Sequence, residues 1–147
     1  PDDPAWCQRL DRHRRRRPSH WSCLETGPDL SGTLLQLQDP ADPFHGHLLL
    51  IDALGTWLAQ HLDDDPTTWR ARQQALLSAL ATHRAPVLLV CEEVGLGVVP
   101  STPVGGLFRD RMGELQQALM AQASGSWLVV AGRALDLHVL GQPVPEV

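Results

Sequence analysis

The stretch VLLVCEEVGLGVVPSTPVGGLFRDRMGELQQAL, residues 87–119, decides the fold of this chain. It begins with an apolar run, Val87 to Val90, that is typical of a buried strand. Two carboxylates, Glu92 and Glu93, follow, and a glycine-containing loop then leads to a helix predicted to begin at Pro103. Open α/β sheets place ligand-binding groups in this way, at the carboxyl ends of their strands.

The predicted helix after Pro103 has one apolar face, because four large side chains recur in it at helical spacing. These are Phe108, Met112, Leu115 and Leu119. Thr102 precedes the proline and is the predicted cap residue.

Strands and helices alternate along the rest of the chain. Apolar runs predict strands over residues 21–26, 47–53, 126–131 and 134–140. Caps, prolines and apolar spacing predict helices from Asp3 to just before Pro18 and over residues 29–38, 54–62 and 65–83. Continuous apolar strands joined by helices predict an α/β fold, with a mostly parallel sheet covered by helices on both faces, in a single domain over residues 1–147.

Composition excludes several classes of protein. The net charge is 12 − 17 = −5, which argues against binding of nucleic acid by bulk charge. All 12 cations are arginines, and six of them lie between Arg9 and Arg17. No apolar run is long enough to span a membrane. The three cysteines form no CxxC pair, so we expect free thiols and a cytoplasmic protein.

The basic helix near the start of the chain is the most suggestive site. Trp6, Leu10 and His13 fall on one helical face, so His13 is expected to point toward the body of the protein. A histidine ringed by arginines can attack phosphorus while guanidinium groups hold the phosphate oxygens. The arginines proposed for that role are Arg9, Arg12, Arg14 and Arg17. The alternative is a solvated basic helix end with an ordinary histidine.

Acids at the strand ends form a second candidate group. Asp52, Glu92 and Glu93 follow apolar runs and could hold Mg²⁺. The alternative is that these acids cap neighbouring helices or face solvent. His45 and His47 have no evident third ligand, so zinc is not expected there. A Walker A loop, GxxxxGK[ST], cannot exist in a sequence without lysine.

Five segments together resemble one protein family. They are RLDRHRRRRPSHW, LLLIDALGTWL, CEEVGLGVVP, LFRDRMGELQQAL and WLVVAGRAL. In order and spacing they are similar to the bifunctional adenosylcobinamide kinase/adenosylcobinamide-phosphate guanylyltransferases of cobalamin biosynthesis. The resemblance spans about residues 9–137, and its most specific parts are the patterns RxxxHxxxRPxxW and EVGxGxVP.

The resemblance implies a three-layer P-loop fold, a homotrimer and two reactions. The family phosphorylates adenosylcobinamide with a nucleoside triphosphate such as ATP, and then transfers GMP from GTP onto that phosphate through a histidine–GMP adduct. His13 matches that histidine. Glu25 matches an acid associated with nucleotide binding, and Glu93 matches the glutamate of the family's Asn-Glu-Val-Gly. Asp52 matches an acid on the Mg²⁺ side.

The sequence also departs from the family pattern. The N-terminal strand and its P-loop, GGxRSGKS, do not occur in these 147 residues, so apolar strand edges are expected to be exposed. Glu92 stands at the family's asparagine, Gly106 at a frequent arginine, and Gln116 at the asparagine of the long helix.

Two other functions remain open from the sequence. A noncatalytic remnant would keep nucleotide or anion binding, or an assembly role, and would form no histidine adduct. An arginine-rich nucleic-acid binder would show a steep salt dependence of its affinity.

Overall fold

A two-stranded parallel sheet with helices packed on one face forms the centre of the fold. The computed structural model describes residues 4–144, except for the side chains at positions 5, 6, 9, 10 and 13. The predicted cap Asp3 and the end of the chain therefore lie outside the described residues, as does the predicted inward face of the first helix.

The two parallel strands are β1 (Leu49–Asp52) and β2 (Val87–Val90). Leu49 lies opposite Val87, and Asp52 lies opposite Val90. The structure confirms the predicted bounds of β2, whereas β1 is shorter than the predicted run. Because the strands are parallel, their carboxyl ends meet at the same edge of the sheet. Asp52 is therefore close to the start of the loop that leaves β2.

The helices alternate with these strands as predicted. Along the described chain they are α1 (Pro4–Arg16), α2 (Leu30–Gln36), α3 (Leu54–Ala59), α4 (Pro66–Thr82), α5 (Pro103–Gln122) and α6 (Leu137–Leu140). The predicted caps at Asp65 and Thr102 are confirmed, since the side chain of Asp65 accepts hydrogen bonds from the Thr67 and Thr68 amides and Thr102 accepts one from the Gly105 amide. None of the described helices is long and apolar enough to cross a membrane.

The hydrophobic core lies between the sheet and α2 to α5. Its fully buried side chains are Leu34, Leu54, Leu58, Leu76, Met112 and Leu115. Trp57 and Trp69 are also buried and contact each other at 5.8 Å between ring centroids. The predicted apolar face of α5 is confirmed, because its large residues belong to this core.

The opposite face of the sheet is apolar and exposed. Residues alternate between the two faces of a strand, and those on this face include Leu50, Leu88 and Val90, which are 43%, 51% and 42% exposed. The described residues therefore form a two-layer α/β arrangement. The α/β class is as predicted, but the helices expected on the second face are not present among these residues.

A separate antiparallel hairpin, β3 (Trp127–Val130) and β4 (Arg133–Asp136), follows α5. Ala131 and Gly132 join its strands with φ values of +50° and +72°. A type I′ turn requires positive φ at both central residues, so this turn is of that type. The predicted strand over 134–140 is wrong beyond Asp136. The carboxylate of Asp136 accepts hydrogen bonds from the amides of residues 138 and 139 and so starts α6.

The predicted strand over residues 21–26 is wrong for this structure. The amide of Trp21 donates to the Pro18 carbonyl at 3.0 Å in a turn, and Trp21 and Leu24 are both about half exposed. An apolar run becomes a strand only where a neighbouring backbone supplies hydrogen bonds. No described strand forms a ladder of hydrogen bonds with this segment.

Candidate functional site

Helix α1 and the residue that follows it carry the predicted histidine and arginines. Positions 9 and 13 stand about one turn apart in it, but the side chains of Arg9 and His13 lie outside those described. Arg12 and Arg14 are exposed, and Arg17, just beyond the helix, is partly buried. Guanidinium groups clustered at one exposed helix end create a local positive potential that favours anions such as phosphate.

The predicted acids all lie at the carboxyl edge of the parallel sheet. Asp52 is the last residue of β1, and Glu92 and Glu93 are the second and third residues after β2. All three side chains are exposed. No hydrogen bond or ion pair joins Glu92 or Glu93 to a described arginine of α1. The structure thus places the three acids at one edge of the sheet, while the position of the histidine relative to them stays a prediction.

Glu92 caps the beginning of α3. Its Oε2 accepts a hydrogen bond from the Gly55 amide at 2.8 Å. Its backbone carbonyl accepts another from Nε2 of Gln116 at 3.0 Å. For Glu92, the geometry therefore agrees with the alternative interpretation, in which the acid caps a neighbouring helix.

Glu93 orders the loop between β2 and α5. Its Oε1 accepts a hydrogen bond from the Gly95 amide at 2.5 Å. The Gly95 carbonyl accepts a bond from Nη2 of Arg109 at 3.1 Å, so the start of the loop is tied to α5. Farther along, Val98 is 95% exposed. The loop is therefore held at its base, where the acid lies, while its apolar tip is exposed.

Asp52 has the chemistry of a Mg²⁺ ligand. It is exposed at the end of a parallel strand, and Mg²⁺ is usually held by one or two carboxylates together with water and substrate phosphates. Among the described residues, no group of three or more histidines, cysteines and acids could hold a metal. The residues thus fit a Mg²⁺ ion that arrives with a nucleotide, rather than one held wholly by protein.

Glu25 lies in the exposed segment that was predicted to be a strand. That segment leads into a turn at Pro28, whose carbonyl accepts hydrogen bonds from Nε1 of Trp57 at 2.9 Å and from Nε2 of His61 at 3.0 Å. Because a carbonyl is only an acceptor, Nε2 of His61 carries a proton. These bonds anchor the chain three residues after Glu25, but none of the described contacts joins Glu25 to the other acids.

Sequence reasoning missed a buried arginine that holds the loop between α3 and α4. Arg111 is 5% exposed, and its guanidinium donates to the carbonyls of His61 and Asp64 at 2.6 Å each. Its Cζ lies 5.1 Å from the centroid of the Trp69 ring. A signal was present in the sequence, because Arg111 falls three residues after Phe108, on the face that turns toward the core.

The thiol of Cys91, next to the strand-end acids, is not a candidate nucleophile. Burial, and to a lesser extent the charge of Glu92, raises its pKa to about 11. The thiol therefore stays protonated at neutral pH, and the thiolate is the nucleophilic form.

The sequence of the chain matches a family described as cobinamide kinase / cobinamide phosphate guanyltransferase, over residues 1–137. The chain belongs to this family. The match covers both α1 and the strand-end acids, so it includes every residue of the candidate site. The predicted family is thereby confirmed.

Individual relatives agree with the family match. The bifunctional adenosylcobalamin biosynthesis protein CobP of Pseudomonas aeruginosa is 35% identical over 138 residues, which cover 93% of this chain and 76% of that protein. The bifunctional adenosylcobalamin biosynthesis proteins CobU of Escherichia coli and Salmonella typhimurium are 32% and 31% identical, over 88% of this chain and 77% of theirs. The chain is thus similar to enzymes of cobalamin biosynthesis along most of its length.

Proposed function

We propose that the chain is an adenosylcobinamide-phosphate guanylyltransferase that makes adenosylcobinamide-GDP from GTP, and that the full-length protein is also an adenosylcobinamide kinase using ATP or GTP. The family match over residues 1–137 carries this proposal, because it spans His13 and the acids at the sheet edge together. The rival, a noncatalytic remnant that only binds nucleotide or assembles, differs from it in the chemistry of His13.

His13 is the proposed nucleophile. In the first half-reaction an imidazole nitrogen attacks the α-phosphorus of GTP, a P–N bond forms, the bond to the β-phosphate oxygen breaks and pyrophosphate leaves. In the second half-reaction a phosphate oxygen of adenosylcobinamide phosphate attacks the same phosphorus. A P–O bond then forms, the P–N bond breaks and the imidazole is released.

The arginines around His13 are proposed to bind the phosphate oxygens in both half-reactions. They are Arg9, Arg12, Arg14 and Arg17. Guanidinium groups stay protonated at all working pH values and can form paired hydrogen bonds to phosphate. The exposure of Arg12 and Arg14 on α1 supports this role, because both can reach a ligand without a change in the core.

Glu25, Asp52 and Glu93 are proposed to bind the nucleotide and its Mg²⁺. Asp52 would hold the ion with water and phosphate oxygens, and the ion would neutralise charge that develops on the phosphates. Glu93 would orient the nucleotide from the base of the β2–α5 loop, and Glu25 from the segment before Pro28. The common position of Asp52 and Glu93 at one edge of the sheet supports this assignment.

We further propose that the native fold has the three layers of P-loop proteins, with an N-terminal strand and P-loop ahead of residue 1. The exposed apolar face of the β1–β2 sheet supports a further layer.

A homotrimer is proposed from the family resemblance, and the exposed apolar tip of the β2–α5 loop is compatible with a contact between subunits. We also propose a single-domain, cytoplasmic enzyme, and the free thiols of the described cysteines support a reducing compartment.

The proposal is tested by incubating the protein with Mg²⁺ and GTP labelled at the α-phosphate. The wild type should acquire covalent label that is lost in acid and kept in base, as expected of a phosphoramidate, whereas His13→Ala should acquire none. His20→Ala is the matched control, since His20 is an exposed histidine outside α1, and it should label like the wild type. Label on His13→Ala would contradict the role of His13. Lack of label on a wild type that includes an upstream P-loop segment would favour the noncatalytic remnant.

A further inference from the structure

Helix α3 begins without a cap of its own. Ala53 occupies the cap position and forms no side-chain hydrogen bond to the first turn. The first N–H groups of a helix have no partners within the helix and need acceptors from elsewhere. Only Ala53 separates this helix from Asp52, the last residue of β1, so the first turn of α3 lies next to the candidate site in the chain.

Glu92 supplies the missing acceptor from 37 residues away. Its carboxylate accepts from the amide of Gly55, which is the second residue of α3 and a usual partner for a cap. A negative charge at this end of a helix is also favoured by the helix dipole. A β-carbon at position 55 would collide with the carboxylate, so the close approach of Glu92 requires glycine there.

The backbone of Glu92 is fixed as well. Its carbonyl accepts a hydrogen bond from Gln116 in the middle of α5 at 3.0 Å. The residue therefore connects the end of β2, the first turn of α3 and α5. The next residue, Glu93, is bonded to Gly95 and begins the loop that α5 holds through Arg109.

We propose that Glu92 is a positioning residue for the transfer reaction and not a ligand of the metal or the nucleotide. Its carboxylate fixes the β1–α3 junction, which carries Asp52, relative to the β2–α5 loop, which carries Glu93. The inference rests on the proposed roles of these two acids. A side chain that keeps an acceptor oxygen at this position should preserve the site, and one that lacks it should not.

The test compares Glu92→Gln with Glu92→Ala. The glutamine retains an oxygen that can accept from Gly55 but lacks the charge that a Mg²⁺ ligand needs, whereas the alanine loses the acceptor. Glu114→Ala is the control, since Glu114 is an exposed acid on α5. Thermal unfolding of each variant shows whether it is folded before activity is compared.

The first measurement is hydrogen exchange of the Gly55 amide. Loss of a hydrogen bond to a charged group should speed exchange on the order of tenfold in Glu92→Ala. Glu92→Gln and Glu114→Ala should exchange like the wild type. Unchanged exchange in Glu92→Ala would show that the bond does not hold the first turn of α3, and would overturn the proposal.

The second measurement is the rate of labelling of His13 by GTP as a function of Mg²⁺ concentration. We expect the labelling rate of Glu92→Ala to fall on the order of 10- to 100-fold, as for a misplaced reactive group. Glu92→Gln should have the labelling rate of the wild type and should reach half of that rate at the same Mg²⁺ concentration. A shift of that concentration in Glu92→Gln with Gly55 still protected would identify Glu92 as a metal ligand and overturn the proposal.

Gly55→Ala gives an independent check, because its β-carbon displaces the carboxylate without changing Glu92. It should resemble Glu92→Ala in labelling rate. If the wild type labels and both variants keep its rate, this inference fails while the proposed function stands. If the wild type does not label at all, the proposed function fails and the positioning role falls with it.

Discussion

At the scale of single residues, the site and the core depend on polar side chains that bind backbone groups far away in sequence. Glu92 reaches Gly55, His61 and Trp57 reach Pro28, and Arg111 reaches the loop between α3 and α4. Each contact joins the end of one element to another element. The contact of Glu92 joins the two chain segments that leave β1 and β2 at the carboxyl edge of the sheet, where the candidate site lies.

Arg111 should be important for stability because its guanidinium is buried and holds the carbonyls of His61 and Asp64. Arg111→Met keeps most of the side-chain volume but leaves these carbonyls without a donor. We expect the free energy of unfolding to fall by about 3 kcal/mol, since bonds to a charged group contribute roughly 1.5–3 kcal/mol each. Urea denaturation measures this change.

Arg70→Met is the matched control, since Arg70 is an exposed arginine on α4. Surface substitutions of this kind usually change stability by less than about 0.5 kcal/mol. A similar small change for Arg111→Met would show that the buried guanidinium contributes little to stability.

At the scale of elements, local signals in the sequence were sufficient for most of the fold. The bounds of β2 and the caps at Asp65 and Thr102 were predicted, because apolar runs and cap residues act within a few positions. Residues 21–26 have the composition of a strand, but pairing depends on a distant neighbour and the prediction was wrong. The sequence likewise could not decide whether Glu92 is a Mg²⁺ ligand or a helix cap, because its partner Gly55 lies far away in the chain.

The β3–β4 hairpin provides a test at this scale. Ala131 has φ +50°, a conformation that costs most residues about 1–2 kcal/mol and costs glycine little. Ala131→Gly should therefore stabilise the hairpin by about 0.5–1 kcal/mol, after allowing for the greater freedom of glycine in the unfolded chain. Ala134→Gly, in the exposed strand β4, should instead destabilise it. Hydrogen exchange of the hairpin amides measures both effects, and equal loss of protection in the two variants would contradict the turn assignment.

At the scale of the whole molecule, the apolar face of the β1–β2 sheet is exposed, and none of the described helices covers it. Leu50, Leu88 and Val90 are each about half exposed on neighbouring strands, and contiguous apolar surface of this kind usually marks an interface. We expect the 147-residue chain to self-associate, and Leu88→Gln to increase the monomer fraction without loss of helix content. Sedimentation velocity measures the association. A monodisperse wild-type monomer with cooperative unfolding would contradict this expectation.

The most direct test of the central claim is a chase of the labelled protein. After labelling at the α-phosphate of GTP and removal of free nucleotide, adenosylcobinamide phosphate is added. Guanylyl transfer through His13 predicts that the label leaves the protein and appears in adenosylcobinamide-GDP, in an amount equal to the label lost. Label that stays on the protein, or that is released only as GMP at the rate seen without the cobinamide phosphate, would contradict the assignment as a guanylyltransferase.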